Sequence, residues 1–383
     1  MAQAVIDEAV WGAPVPSISA LESELTRLRR AASAHAREQG RSVARAAVLN
    51  LVVYADRELH ARRAAASTSR LSARHPSRVV VVLGDRQHDG VDVAIQLHCH
   101  VPAPDETAQI CYEQILARVK GDADERVASV IIPLLVPDLP VFLWWTGTPP
   151  HDTRRFDDLI ALAERLIVDS ADFARPAETL GVMASLATTH RGRKFGITDL
   201  NWTRLTPWRE LVAAFFDVDA WRPCLDKIVG IRVGFGVDAD GRRIHPSQAL
   251  LLVGWFASRL GWQAVDTLAP SEAGGLLFRM ANAEGTPVVV RVRPRFERGI
   301  EAGDTSGVRI QAKHGADLYE FVLKREPDAR HVTATVMVNG ETRSRRVVPL
   351  PEPGIEELLR EELSIVGSDH VFEDALHALV ALA

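Results

Sequence analysis

Cysteine is scarce in this sequence of 383 residues: Cys99, Cys111 and Cys224 are the whole complement. An odd count at irregular spacing excludes a disulfide scaffold, and three free, mostly buried thiols in a reducing cytoplasm are expected. Also missing are G-x-G-x-x-G, the Walker loop, H-E-x-x-H, G-x-S-x-G and C-x-x-C. Without them the commonest signatures of dinucleotide, nucleotide-triphosphate, zinc-protease, esterase and dithiol chemistry are gone. A basic excess is absent as well. Lys and Arg number 45 against 50 Asp and Glu, for a net charge of -5. That argues against nucleic acid as the main ligand, because neutralising phosphates needs a basic footprint. The first residues carry two acids and no basic n-region, so no secretory signal is expected there.

Long uninterrupted apolar runs are lacking too. The nearest is Val130 to Pro150, VIIPLLVPDLPVFLWWTGTPP, which Pro133, Pro137 and Pro140 break and Asp138 charges. A continuous helix would lose backbone hydrogen bonds at the inner prolines, and the carboxylate would be costly in lipid. The segment reads instead as the end of a buried helix, a Pro-Asp turn and a short central strand, Val141 to Trp145.

What is present is a globular composition, 47% hydrophobic and 25% charged, in a chain long enough for two domains. Residues 1–17 read as an N-terminal arm. Residues 18–203 alternate strands with helices: a helix from Ser19, an apolar strand over Ala46 to Tyr54, a helix capped by Asp56, a strand at Arg78 to Leu83, then Val141 to Trp145 and Arg165 to Asp169. Alternation of this kind implies crossover units and an α/β domain with a mostly parallel sheet. Val91 to Val101 alternates and suits an antiparallel member. Thr107 to Val119 and Asp124 to Leu135 read as helices. Residues 204–225 form a helical bridge. Residues 226–383 form an α+β domain whose strands have one apolar face: Val288, Val290 and Val292; Val308, Ile310 and Ala312; Tyr319, Phe321 and Leu323; Val332, Ala334, Val336 and Val338. Asn339-Gly340 marks a hairpin in this antiparallel meander, since both turn positions need positive φ.

Candidate chemistry is thin. Gly230 to Gly236 (GIRVGFG) is glycine-rich but leads to a turn and not to a helix. In His98-Cys99-His100, two histidines share a strand face, too few for a structural zinc site, and strand-end histidines are the plain alternative. The turn Asp238-Ala239-Asp240-Gly241 has Ala249 where a calcium loop needs glutamate. No metal site and no catalytic residues are expected. The loop Thr146, Gly147 and Thr148 follows a buried strand and precedes a helix, with Arg154 and Arg155 nearby. It reads either as an anion site at a helix N-terminus or as an ordinary loop with solvated arginines. Arg291, Arg293 and Arg295 share the polar strand face, with Arg309 and Lys313 on a neighbour, either to dock an acidic partner or as a solvated face. Eight tryptophans against three tyrosines is an unusual balance. Each suits the core, and each also suits an interface.

The run PLLVPDLPVFLWW resembles the signature of the glucose-6-phosphate dehydrogenase assembly proteins, OpcA. Asp199 to Asp217, DLNWTRLTPWRELVAAFFD, and Ala249 to Trp262, ALLLVGWFASRLGW, resemble the same family. The resemblance implies a cytoplasmic protein that is not an enzyme and needs no cofactor. It implies a partner, glucose-6-phosphate dehydrogenase, whose active oligomer such proteins promote at the entry to the oxidative pentose phosphate pathway, and hence NADPH supply. No nucleic acid or membrane partner is implied. On this reading Asp138, Trp144, Trp145, Trp208, Arg291 and Arg293 are the expected partner contacts. The competing reading is a sugar-phosphate- or nucleotide-binding enzyme using the loop after Trp145.

Overall fold

The computed structural model describes residues 13–14, 18–45, 47–71, 75–85, 90–100, 108–190, 194–239, 245–267, 269–271, 274–365 and 367–381. Trp11, the Asp240-Gly241 pair and the side chains of Ser19, Glu22 and His100 lie outside the described set. The chain divides into two compact units that are not colinear with it. The first holds residues 1–172, 192–198 and 355–367; the second holds 173–191, 199–354 and 368–383. Segments of the two units therefore alternate along the sequence, and the two closing helices fall in different units.

The first unit is a nine-stranded sheet flanked by helices. Its principal strands are β1 (Asn50–Ala55), β2 (Arg78–Asp85), β3 (Gly90–His100), β4 (Ala108–Lys120), β5 (Val141–Trp145), β6 (Arg165–Val168) and β7 (Gly196–Asp199). They lie in the order β3-β4-β2-β1-β5-β6-β7. Short strands Ala13–Pro14 and Ser42–Arg45 pair with β3 and β4. The pairs β1–β2, β2–β4, β1–β5 and β5–β6 are parallel, and β3 is antiparallel to β4. All six residues of β1 are buried, as a strand covered on both faces requires. Helices α1 (Ile18–Glu38), α2 (Glu58–Leu71) and α3 (Arg154–Leu162) belong to this unit. Strand order reverses between β1 and β5, the position where doubly wound sheets open a crevice at their carboxyl ends.

Two expectations fail here. A helix is expected over Thr107 to Val119, and the described part, Ala108–Lys120, is strand β4. Its Gln109, Glu113 and Gln114 mimic the polar side of an amphipathic helix, yet all three are buried. Glu113 pairs with Arg29 and Arg78, while Gln114 donates to the Ala65 carbonyl and the Thr68 hydroxyl. Partners remote in sequence thus let polar side chains occupy a buried strand. The second failure follows from the first. Because β4 is a strand, Cys111 lies directly opposite Cys99 on β3, and the two form a disulfide. Cys224 is the free cysteine among the described residues. Asp124 to Leu135 is also less regular than one helix: it breaks into Asp122–Glu125, Val127–Ile131 and a 3-10 turn over Ile132–Leu134.

The second unit is a nine-stranded mixed sheet, mostly antiparallel. Its principal strands are β8 (Ile228–Gly236), β9 (Leu276–Ala281), β10 (Pro287–Arg295), β11 (Thr305–His314), β12 (Asp317–Arg325), β13 (His331–Val338) and β14 (Glu341–Pro349). Strand β8 pairs parallel with β10 and antiparallel with β11, and the meander runs on from β11 to β14. Asn339 and Gly340 both have positive φ, 51° and 84°, at the β13–β14 turn. One face is apolar: Val288, Val290, Val292, Val308, Ile310, Phe321 and Leu323 are all buried. Helix α4 (Pro176–Thr189) belongs to this unit, and Phe321 meets Phe215 and Phe216, which end the helix α5 (Thr206–Phe216). Helix α6 (Ser247–Leu260) packs so closely on α8 (His370–Val380) that a Cβ at Gly254 would strike the Ala375 carbonyl. Between them in sequence lies α7 (Ile355–Ser364), in the first unit.

Candidate functional site

The three stretches that resemble a known family do structural work. Asn50 opens β1, and its buried amide donates to the Val136 and Leu139 carbonyls while its oxygen accepts from Val136 N–H. This clamps the Pro137-Asp138 turn and sets β5 beside β1. Asp138 itself is exposed and has φ 64°, a left-handed value that Asp tolerates better than most residues. In the second stretch Asp199 caps the helix Leu200–Arg204, the Trp202 indole donates to Asp369, and Arg209 lies 3.5 Å over the Trp202 ring. In the third, Gly254 permits the close helix pair.

Beside the β1/β5 reversal, at the carboxyl ends of β1, β2 and β4, lies a cavity of about 420 Å³ lined by Tyr54, Asp56, Glu58, Gly84, Asp85, Arg118 and Asp124. A dinucleotide fold places a glycine-rich turn after its first strand, so that backbone N–H groups can approach a pyrophosphate. Here the turn reads Ala55-Asp56-Arg57-Glu58, with no glycine and two carboxylates. Tyr54 fills the inner wall. Its hydroxyl donates to Asp124 at 2.8 Å, its ring stacks on Trp145 at 4.3 Å, and the Arg155 guanidinium lies 5.5 Å over it. Asp124 pairs with Arg155, and both are buried. A Cβ at Gly84 would collide with the Tyr54 hydroxyl, so the glycine makes room for a tyrosine and not for a ligand. Burial, then the Asp124 charge, hold the Tyr54 hydroxyl far above its ordinary pKa, so it stays a donor at any physiological pH. These residues do not fit a dinucleotide.

The loop after Trp145 is committed in the same way. Thr146 gives both its N–H and its hydroxyl to the Tyr54 carbonyl, at 3.0 and 3.1 Å. Gly147 lies beside His60 and Asp56, Thr148 is exposed, Arg154 lies 3.4 Å from Asp158, and Arg155 turns inward to Asp124. The two arginines expected to attract an anion already have carboxylate partners, and Asp56 would repel one.

Trp144, Trp145 and Trp208 are 6%, 3% and 3% exposed. Within their own units they are core, because aromatic area is better spent on packing than on water, and they present a partner with almost no surface. Trp208 also lines a cavity of about 270 Å³ in the second unit, where Arg325 is neutralised by Asp304 and Glu352. Arg291 and Arg293 are half-buried on the outer, polar face of β10. Between Arg291 on β10 and Arg309 on β11 lies Arg232 of β8, abreast of both in register. Sequence reasoning missed Arg232. The signal was present, as it alternates with buried Ile231 and Val233, but only the register reveals its neighbours. Among the described residues no cluster of three or more His, Cys, Asp or Glu side chains could hold a metal, and no helix is long and apolar enough to cross a membrane.

Residues 68–185 match the family described as glucose-6-phosphate dehydrogenase subunit N-terminal domain, and residues 195–376 match the corresponding C-terminal domain. The chain belongs to the OpcA family of glucose-6-phosphate dehydrogenase assembly proteins. Among its OpcA relatives is the OxPP cycle protein OpcA of Synechocystis sp. PCC 6803, 28% identical over 82% of this chain and 64% of that protein. That of Nostoc punctiforme is 27% identical over 80% of this chain and 65% of the relative. The chain thus spans about two thirds of the length of these OpcA relatives. Solved structures similar to it include a levoglucosan dehydrogenase with NADH and L-sorbose, at TM-score 0.49 and 13% identity over 88% of this chain and 96% of that one. The ketoreductase KijD10 from Actinomadura kijaniata has TM-score 0.47 and 12% identity over 87% of this chain and 95% of its own. Likenesses at that level carry no functional weight.

Proposed function

We propose that this chain is a non-catalytic assembly factor and allosteric activator of glucose-6-phosphate dehydrogenase, acting in the cytoplasm in support of the oxidative pentose phosphate pathway. Family membership supports the partner. The observation that supports the absence of catalysis is the crevice: Tyr54, Asp124, Arg155 and Trp145 pair and stack with one another beside the strand reversal where a dinucleotide fold holds its cofactor. The chain would act by binding the active oligomeric form of the dehydrogenase more tightly than the inactive form, since a partner shifts an equilibrium only by its differential affinity.

Mixing the purified chain with its cognate dehydrogenase tests this. The expected result is a larger particle by light scattering, with a lower KM for glucose 6-phosphate, a higher kcat, or both, saturating in this chain. No association and no change in rate would reject it. Calorimetry of the chain alone with sugar phosphates and nicotinamide cofactors tests the competing enzyme reading, for which the expected result is no heat of binding.

A further inference from the structure

The outer sheet face of the second unit gathers arginines on three adjacent strands. Arg232 on β8 has Arg291 of β10 on one side and Arg309 of β11 on the other, at directly paired positions. Arg293 and Arg295 continue the stripe along β10. Side chains directly opposite on neighbouring strands stand about 5 Å apart at Cβ, where like charges destabilise a sheet. Burial first, then the charges of Arg293, Arg309, Arg291 and Arg295, depress the pKa of Arg232. Its Nε is buried and has no hydrogen-bond partner among the described residues. A buried donor without an acceptor costs free energy, and an arginine row without counter-charge adds to that cost. Among the described residues, Arg309 is the member of the row with a carboxylate beside it, Glu320 at 3.2 Å.

The surroundings are those of a flat contact surface. On β8 the outer-face neighbours of Arg232 are Gly230 and Gly234, which add no side chains of their own; Gln311 reaches over the first, and Ser306 and Arg295 over the second. Half-buried Val289 and Val322 and exposed Leu277 share this face. Arginine set among apolar residues is the composition of a protein interface, where a nucleic-acid surface would be more uniformly basic. Size agrees. Seven strands about 4.8 Å apart and nine residues long present a face of about 900 Å², close to the ~800 Å² that each partner contributes to a standard interface. A second copy of the chain does not suit this face, because a two-fold contact would set arginine rows against each other.

Resting on the assembly reading above, we infer that the outer face of the second unit's sheet, centred on Arg232 and Arg291, is the surface that docks the dehydrogenase, and that the dehydrogenase meets it with a flat surface bearing carboxylates. Desolvated carboxylates facing this row would pair with the accessible ends of its guanidinium groups and relieve the repulsion between them.

The test uses the full chain, the cognate dehydrogenase and the double variant R232E/R291E, with R63E on the exposed side of α2 as a charge-matched control. The expected result is at least a 100-fold loss of affinity and a parallel loss of activation for the double variant. R63E should stay within twofold of the natural chain, whose affinity should fall as salt rises. The neutral pair R232Q/R291Q guards against misfolding: it should melt no lower than the natural chain and still bind about tenfold more weakly. Unchanged binding by both double variants would overturn the docking face while leaving the assembly reading intact. Failure of the natural chain to bind the dehydrogenase would remove both. Arginine-dependent binding of heparin or single-stranded nucleic acid in preference to the dehydrogenase would overturn the inference, as would an arginine-dependent homodimer.

Discussion

The two units handle charge in opposite ways. In the first, charges turn inward and cancel: Arg155 on Asp124, Arg78 and Arg29 on Glu113, Arg118 on Asp85. In the second, a row of arginines stands outward on one sheet face with a single carboxylate, Glu320, beside it. The first unit has the layout in which ligand crevices form, and it spends that crevice on its own core. The second presents a broad surface whose electrostatics are incomplete in the isolated chain.

The contrast can be broken most forcefully at Asp124. Replacing it by Leu leaves Arg155 buried without a counter-ion and should destabilise the first unit by about 3–5 kcal/mol in denaturant unfolding. The double variant D124L/R155M should recover most of that loss. If D124L alone is neutral, the crevice is solvated and open to ligands. Next comes Gly84→Ala, which drives a methyl group into the Tyr54 hydroxyl and should cost about 1–3 kcal/mol as overpacking. Adding Tyr54→Phe should return part of it. Opposite in sign is R232Q/R291Q in the second unit, expected to gain about 0.2–1 kcal/mol in thermal unfolding by removing paired like charges. A loss of stability there would mean the arginines are structural.

The smallest effect concerns pH. Burial holds His98 below its ordinary pKa, against a Gln114 hydrogen bond that pulls the other way, and burial with the nearby Arg360 charge does the same for His75. A depressed histidine contributes stability above its unfolded value of 6.5 and loses it as pH falls below that value toward the folded one. Unfolding of the first unit should therefore shift to lower temperature between pH 7.5 and 5.5, and His98→Gln should flatten the slope. A slope unchanged by that substitution would exclude His98 as its source.

Much of this was legible in the sequence for physical reasons. After Asn50, strand β1 is apolar because both its faces are covered, and Asn339-Gly340 could only be a turn. The outer-face arginines of β10 followed from period-two alternation. Strand β4 was not legible, because Glu113 and Gln114 read as a solvated helix face until Arg29, Arg78 and Thr68 arrive from other parts of the chain. The Cys99–Cys111 bond was hidden behind the same misreading. The tryptophans were ambiguous by chemistry, since an indole suits a core as well as an interface. Arg232 needed register, which no local pattern encodes.

Arginine-directed footprinting tests the account most directly. The chain is labelled with phenylglyoxal, alone and saturated with glucose-6-phosphate dehydrogenase, and modification at each arginine is read by mass spectrometry. Arg291, Arg293 and Arg232 should become protected by the partner while Arg118 and Arg154, around the crevice and its loop, label as before. Protection at Arg118 and Arg154 with the sheet arginines unchanged would contradict it.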